Sequence, residues 1–174
     1  MRSGRVFVLK ILVVEDDRHL ATTVKYLIED NPRYRVAAIA DDAESAIDAA
    51  KAHEPHLALV DLQLARGTTG FSVAVHLAEV GIPCLFVSGK APSFAMPDLA
   101  LGCLMKPFTA EDVHRALALA EDKLRGRESL RMHLPRNLRV YDEPDQIVEI
   151  RGFIPSKPSL RTRFGHWIAA QQRP

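Results

Sequence analysis

Glu15, Asp16 and Asp17 stand in a row directly after the apolar run KILVV, and Asp61 lies inside another, HLALVDL. Ser88 closes a third run, CLFVS, and Lys106 closes a fourth, GCLMK. Acids, a hydroxyl and an amine brought to one place have a definite chemistry. Carboxylates gathered in one pocket repel each other unless they are protonated or neutralised by a cation. A hard divalent cation with oxygen ligands relieves that repulsion, and Mg²⁺ suits a site that also holds phosphate oxygens. A carboxylate can attack phosphorus to give an aspartyl phosphate. An amine and a metal would neutralise charge on the transferred group, and a hydroxyl would donate to one of its oxygens. Taken singly, most of these residues have plainer readings. Asp17 suits a helix N-terminus, Ser88 a turn and Lys106 a surface. Asp61 is the exception, because an acid set inside an apolar run is costly unless it is used.

The elements that would bring these residues together are legible in the hydrophobic pattern. Five short apolar runs, Lys10–Val14, Arg35–Ala40, His56–Leu62, Cys84–Ser88 and Gly102–Lys106, are too short for helices and are bounded by turn residues, so they read as strands. Between them, Leu20, Val24, Leu27 and Ile28 have helical spacing in a helix from Arg18 to Asp30. Asp42 caps a second helix running to about His53, and a third is expected near Phe71–Val80. Residues 89–101 are rich in Pro, Gly and Ser, which leaves a short or distorted helix at best. Thr109 caps the last helix, to about Leu124, with Asp112 three residues on in a capping-box position. Strands alternating with helices imply parallel strands joined by right-handed crossovers, hence an α/β doubly wound sheet of five strands. In such sheets ligands sit at the carboxyl ends of the strands, and those ends are where the acids, the serine and the lysine fall.

Composition sets the outer limits. With 47% hydrophobic and 26% charged residues and a net charge of +1 over 174 residues, the chain reads as a soluble globular protein. Cys84 and Cys103 both lie in apolar runs and read as buried free thiols, which fits a reducing, cytoplasmic location. Neither a signal peptide nor a membrane-crossing run is expected. The charge is uneven: residues 1–124 hold 13 Lys/Arg and 17 Asp/Glu, whereas residues 125–174 hold 10 and 5. That shift places a boundary between a domain at 9–124 and a C-terminal extension at 125–174.

The four motifs, EDD after ILVV, Asp61 in LVDLQL, Ser88 in FVSGK and Lys106-Pro107-Phe108, together resemble the signature of two-component response regulator receiver domains, over about residues 9–124. The resemblance implies a flavodoxin-like sheet of order 2-1-3-4-5. It implies that Asp61 accepts a phosphoryl group from a sensor histidine kinase or phosphotransfer protein. Glu15, Asp16 and Asp61 would hold Mg²⁺ with the backbone carbonyl of Gln63; Ser88 would follow the phosphoryl group and Lys106 would pair with it. A cis Lys106–Pro107 peptide is expected. The loop LVDLQLARGTTGFSVA, with GIPCLFVSGK, is similar to a receiver subgroup of single-domain or stress-response regulators. Two departures stand out: Cys103 occupies a position that is aromatic in typical receivers, and the stretch from Ser88 to Lys106 is shorter than usual. They point to signalling through residues 89–101 instead of an aromatic rotamer.

The extension is less informative. Leu138–Tyr141 and Ile147–Ile150 alternate like two short strands around Glu143-Pro144-Asp145, and Leu160–Gln172 suits a short helix. It is too small for a core of its own, so its apolar residues are expected to pack on the domain or on a second copy, making a homodimer through this arm. Nucleic-acid binding by Arg151, Lys157, Arg161 and Arg163 is not expected: no helix-turn-helix is recognisable and aromatic residues do not interleave with the basic ones. Two alternatives stay open: a phosphorylation-independent binding module, and a transcription regulator with an atypical basic tail.

Overall fold

The structure, a computed structural model, describes residues 7–65, 67–127 and 134–141. The elements run β1 (Leu9–Val14), α1 (Arg18–Glu29), β2 (Tyr34–Ala40), α2 (Ala43–His53), β3 (Leu57–Asp61), α3 (Gly70–Glu79), β4 (Cys84–Ser88), β5 (Ala100–Met105), α4 (Ala110–Leu124) and β6 (Leu138–Val140). The five strands read from the sequence are parallel neighbours in the order β2-β1-β3-β4-β5.

Both faces of the sheet are covered, which is why β3 and β4 are buried along their whole length. Alternate strand residues divide between two cores. Leu9, Ile11 and Val13 of β1 share one with Val24 and Ile28 of α1 and Val113, Leu117 and Leu124 of α4. Leu12 and Val14 share the other with Ala46 and Ala50 of α2 and Val73, Ala74 and Leu77 of α3. The helix starts are fixed locally. Asp17 caps α1 through His19 and Leu20. Asp42, Thr69 and Thr109 close reciprocal capping boxes with Ser45, Ser72 and Asp112. Each such cap stabilises its helix by about 1 kcal/mol and sets where the preceding loop leaves the sheet.

The expected count of five strands is corrected to six. The first apolar stretch of the extension, Leu138–Val140, pairs antiparallel with β5 and becomes the sheet's edge. Its alternation, Leu138 inward and Arg139 outward, suited it to any exposed edge; β5 offered that edge, and Gly102 lets the new strand come close. A Cβ at Gly102 would stand 2.4 Å from the Arg139 carbonyl oxygen. The expected strand Ile147–Ile150 and helix Leu160–Gln172 lie outside the described residues.

Between β4 and β5 the described chain makes only turns and bends, as the Pro, Gly and Ser content suggested. The Met96 carbonyl accepts from Leu99 and Ala100. Met96 and Leu99 pack against the α2/α3-side core, where Tyr141, just beyond β6, is also buried. No helix among the described residues is long and apolar enough to cross a membrane.

Candidate functional site

Glu15 follows β1, Asp61 ends β3, Ser88 ends β4 and Lys106 follows β5. Because these strands are parallel and adjacent, their carboxyl ends share one rim. The Leu62 backbone amide donates to the Val87 carbonyl and the Lys106 amide to the Ser88 carbonyl, so the rim is pinned across three strands.

The Lys106 ammonium donates to Asp61 Oδ2 at 2.5 Å and to Glu15 Oε2 at 3.3 Å. Both carboxylates are nearly enclosed, with 6% exposure for Glu15 and 5% for Asp61. Burial, then the adjoining Asp61 carboxyl, pushes Glu15 up to about 7, against the lowering effect of the Asp17 amide and Lys106. Burial opposes the charge on Lys106, but Asp61 and Glu15 together outweigh it and raise its pKa. Two enclosed carboxylates thus face one ammonium, and the cluster has room in its charge balance for a further cation. An all-oxygen acidic donor set of this kind fits Mg²⁺.

Of the remaining expected residues, Gln63 touches this cluster, whereas Asp16 and Ser88 bond to neighbouring loop backbone. Asp61 Oδ1 accepts from the Gln63 backbone amide at 2.8 Å, which puts the Gln63 backbone beside the Asp61 carboxylate. The Asp16 carboxylate instead accepts from the Ala65 amide at 3.0 Å, tying it to the loop after β3. Among the described residues, no three His, Cys, Asp or Glu side chains form a ready metal-ligand group. Ser88 is buried; its hydroxyl donates to the Lys90 carbonyl at 2.7 Å and accepts from the Lys90 amide at 3.2 Å. Asp17 is a cap, its carboxylate held below the usual range by the amides of Leu20 and His19. The Lys106–Pro107 peptide is cis.

Three participants were missed by the sequence reading. Gly70, the first residue of α3, presses on the Asp61 backbone. The Ala65 amide engages Asp16 through its backbone, so its residue type carries no signal. Asn137, just before β6, donates from Nδ2 to the carbonyls of Met105 and Pro107 at 3.0 and 3.1 Å, bracing the chain on both sides of Lys106. Only the positions of glycine and asparagine next to other elements hinted at these roles.

A family profile described as the response regulator receiver domain matches residues 11–118. The sensory transduction protein LytT of Bacillus anthracis is 29% identical over 113 residues, 63% of this chain and 46% of that protein. The transcriptional regulatory protein PdtaR of Mycobacterium tuberculosis (strain CDC 1551 / Oshkosh) is 25% identical over 124 residues, 67% of this chain and 58% of that protein. The match therefore spans about half the length of these relatives. Among solved structures, the signal receiver domain of a modulated diguanylate cyclase from Desulfovibrio desulfuricans G20 superposes with a TM-score of 0.56 at 28% identity, covering 67% of this chain and 98% of that one.

Proposed function

The chain belongs to the response regulator receiver domain family of two-component signalling, and on that premise we propose that Asp61 is its phosphoacceptor, in a Mg²⁺-dependent reaction fed by a histidine kinase or phosphotransfer protein. The observation that carries the reading is the Lys106 ammonium held between the Asp61 and Glu15 carboxylates at the rim of the sheet.

In the transfer, a carboxylate oxygen of Asp61 attacks the phosphorus of a phosphohistidine. A P–O bond forms, the P–N bond breaks, and the imidazole leaves with the electron pair of the broken bond. Lys106 already lies against Asp61, so it is placed to balance charge on the incoming phosphoryl oxygens. The Ser88 hydroxyl, one strand away, donates to one of those oxygens. The Gln63 amide keeps the acceptor carboxylate oriented through Oδ1. Glu15, Asp16 and Asp61, with the Gln63 carbonyl, would hold Mg²⁺, which when bound offsets negative charge shared between the acids and the phosphoryl group. Asp16 reaches that set by exchanging its bond to the Ala65 amide.

Residues 9–124 carry this chemistry, and residues 125–174 form an arm that begins by docking as β6 and continues to an output partner or a second copy. Comparing the solution mass of the full chain with that of a chain ending at Tyr141 tests self-association.

Incubation with acetyl phosphate and Mg²⁺ tests the central reading. Intact mass should rise by one phosphoryl group in the wild type and stay unchanged in Asp61→Asn. No rise in the wild type, or an equal rise in the variant, overturns it. A binding module that works without phosphorylation would give the first of those results.

A further inference from the structure

Tyr141 is the last described residue of the chain, and it is held in an unusual way. Its backbone amide donates to the Leu101 carbonyl at 3.0 Å, extending the β5–β6 ladder by one bond. Its carbonyl accepts from Lys123 Nζ at 2.8 Å. Its ring is turned into the sheet, 5% exposed, and meets Phe86 edge-on with centroids 6.5 Å apart. Phe86 in turn meets Phe71 edge-on at 5.5 Å. The three rings form a row from the start of α3, beside Asp61, across β4 to the outer strand.

The Tyr141 hydroxyl is enclosed and has no hydrogen-bond partner among the described residues. A buried tyrosine normally finds a partner for its hydroxyl, and an enclosed polar group without one pays its full desolvation cost. Burial correspondingly pushes the phenol up to about 12. The seat therefore holds the ring by its edge contacts while opposing its hydroxyl.

The packing partners lead back to the acceptor site. Phe86 and Ser88 lie two residues apart on β4 and so share a face. Met96 and Leu99, in the segment between β4 and β5, pack against the core cluster that contains Phe86 and Tyr141. The start of that segment is tied down by the Ser88 hydroxyl, whose one proton is given to the Lys90 carbonyl. A serine hydroxyl has a single proton to donate. It cannot serve the Lys90 carbonyl and a phosphoryl oxygen on Asp61 together.

We propose that Tyr141 is a latch that reports the state of Asp61 to the chain beyond β6. When the Ser88 hydroxyl turns its proton to a phosphoryl group it releases the Lys90 carbonyl, the 89–99 segment loosens over the core, and the Tyr141 ring leaves its seat with β6. The latch rests on the assignment of Asp61 as phosphoacceptor. It makes the attachment of β6, rather than a rotamer within β5, the signal that reaches residues 142–174.

Hydrogen exchange followed by mass spectrometry on the full chain tests this, with intact mass recorded on the same samples. With acetyl phosphate and Mg²⁺, amides of residues 134–141 should exchange about tenfold faster, while those of β2 stay as they were. Ser88→Ala removes the bond to Lys90 and should speed exchange at 134–141 with no phosphoryl donor present. Tyr141→Phe keeps the ring and deletes the opposed hydroxyl. It should slow exchange there severalfold before phosphorylation and blunt the later rise, with the mass shift intact. A mass shift with unchanged exchange at 134–141 overturns the latch and leaves the acceptor assignment standing. So does a Tyr141→Phe chain that exchanges like the wild type in both states. Absence of any mass shift in the wild type overturns the acceptor assignment and the latch with it.

Discussion

Gly70 and Asp61 are in direct backbone contact: a Cβ on Gly70 would lie 2.2 Å from the Asp61 carbonyl oxygen and 2.7 Å from the Leu62 Cα. Both obstacles are main chain, so no side chain can turn aside to make room. The start of α3 is thereby seated on the strand end that presents the Asp61 carboxylate. Gly70→Ala must push α3 outward or bend β3 at Asp61. Overpacking of this kind costs about 1–3 kcal/mol. Urea unfolding should show that loss, and the rate of Asp61 phosphorylation by acetyl phosphate should fall with it. A variant of wild-type stability and rate would mean the contact yields freely.

Glu15 and Asp61 share one ammonium, so removing one charge should help the metal-free protein. Glu15→Gln is expected to unfold at higher urea than the wild type in EDTA, since an enclosed carboxylate short of a counterion is a liability. Mg²⁺ should reverse the ranking. At a hundredfold excess over its dissociation constant a ligand adds about 2.7 kcal/mol to the native state, and the Gln variant should lose most of that increment. Equal Mg²⁺ increments in the two proteins would remove Glu15 from the metal site.

Gly102 plays for β6 the part that Gly70 plays for α3. Gly102→Ala places a methyl group 2.4 Å from the Arg139 carbonyl oxygen and should detach the edge strand. The Met105 amide, bonded to the Asn137 carbonyl, would lose its protection against hydrogen exchange, whereas amides of β1 and β3 would keep theirs. Protection of Met105 equal to wild type would show that β5 accommodates the methyl group.

His56 couples stability to pH at the opposite end of the sheet. Its Nδ1 accepts from the Lys10 backbone amide at 3.0 Å, and its ring stacks on Phe7 at 5.0 Å. Burial first, then the charges of Lys10 and Arg125, lower its pKa from 6.5 to about 4. The unfolded chain therefore takes up a proton on this ring near pH 6.5 that the folded chain refuses until about 4. The contribution is complete above that upper value, is lost progressively as pH falls through the window, and changes no further below it. The difference in unfolding free energy between wild type and His56→Asn should shrink across that window. A pH-independent difference would show that the folded ring titrates normally.

Much of the site was legible because it depends on strand ends. Apolar runs announce where a buried strand stops, and Glu15, Asp61, Ser88 and Lys106 all fall at such stops. The absence of a regular helix after β4 was legible for a related reason, since Pro92 and Pro97 interrupt any amide ladder there. What stayed hidden depends on contacts between distant segments. Leu138–Tyr141 announced a strand through its alternation, but nothing local says that its partner is β5. Asp16 bonds a main-chain amide 49 residues away, and any residue but proline at position 65 would supply it. The burial of the Tyr141 ring depends on Phe86 of β4 and on pairing with β5, which no pattern within a single segment encodes.

The placement of β6 also decides how copies of this protein can meet. An uncovered border strand is a template on which another chain can continue hydrogen bonding, and β5 would be such a border without the three residue pairs that join it to β6. With its own chain already occupying that position, β5 itself can take up a strand of another molecule only after β6 is displaced, and the border open to a neighbour passes from the six residues of β5 to the three of β6.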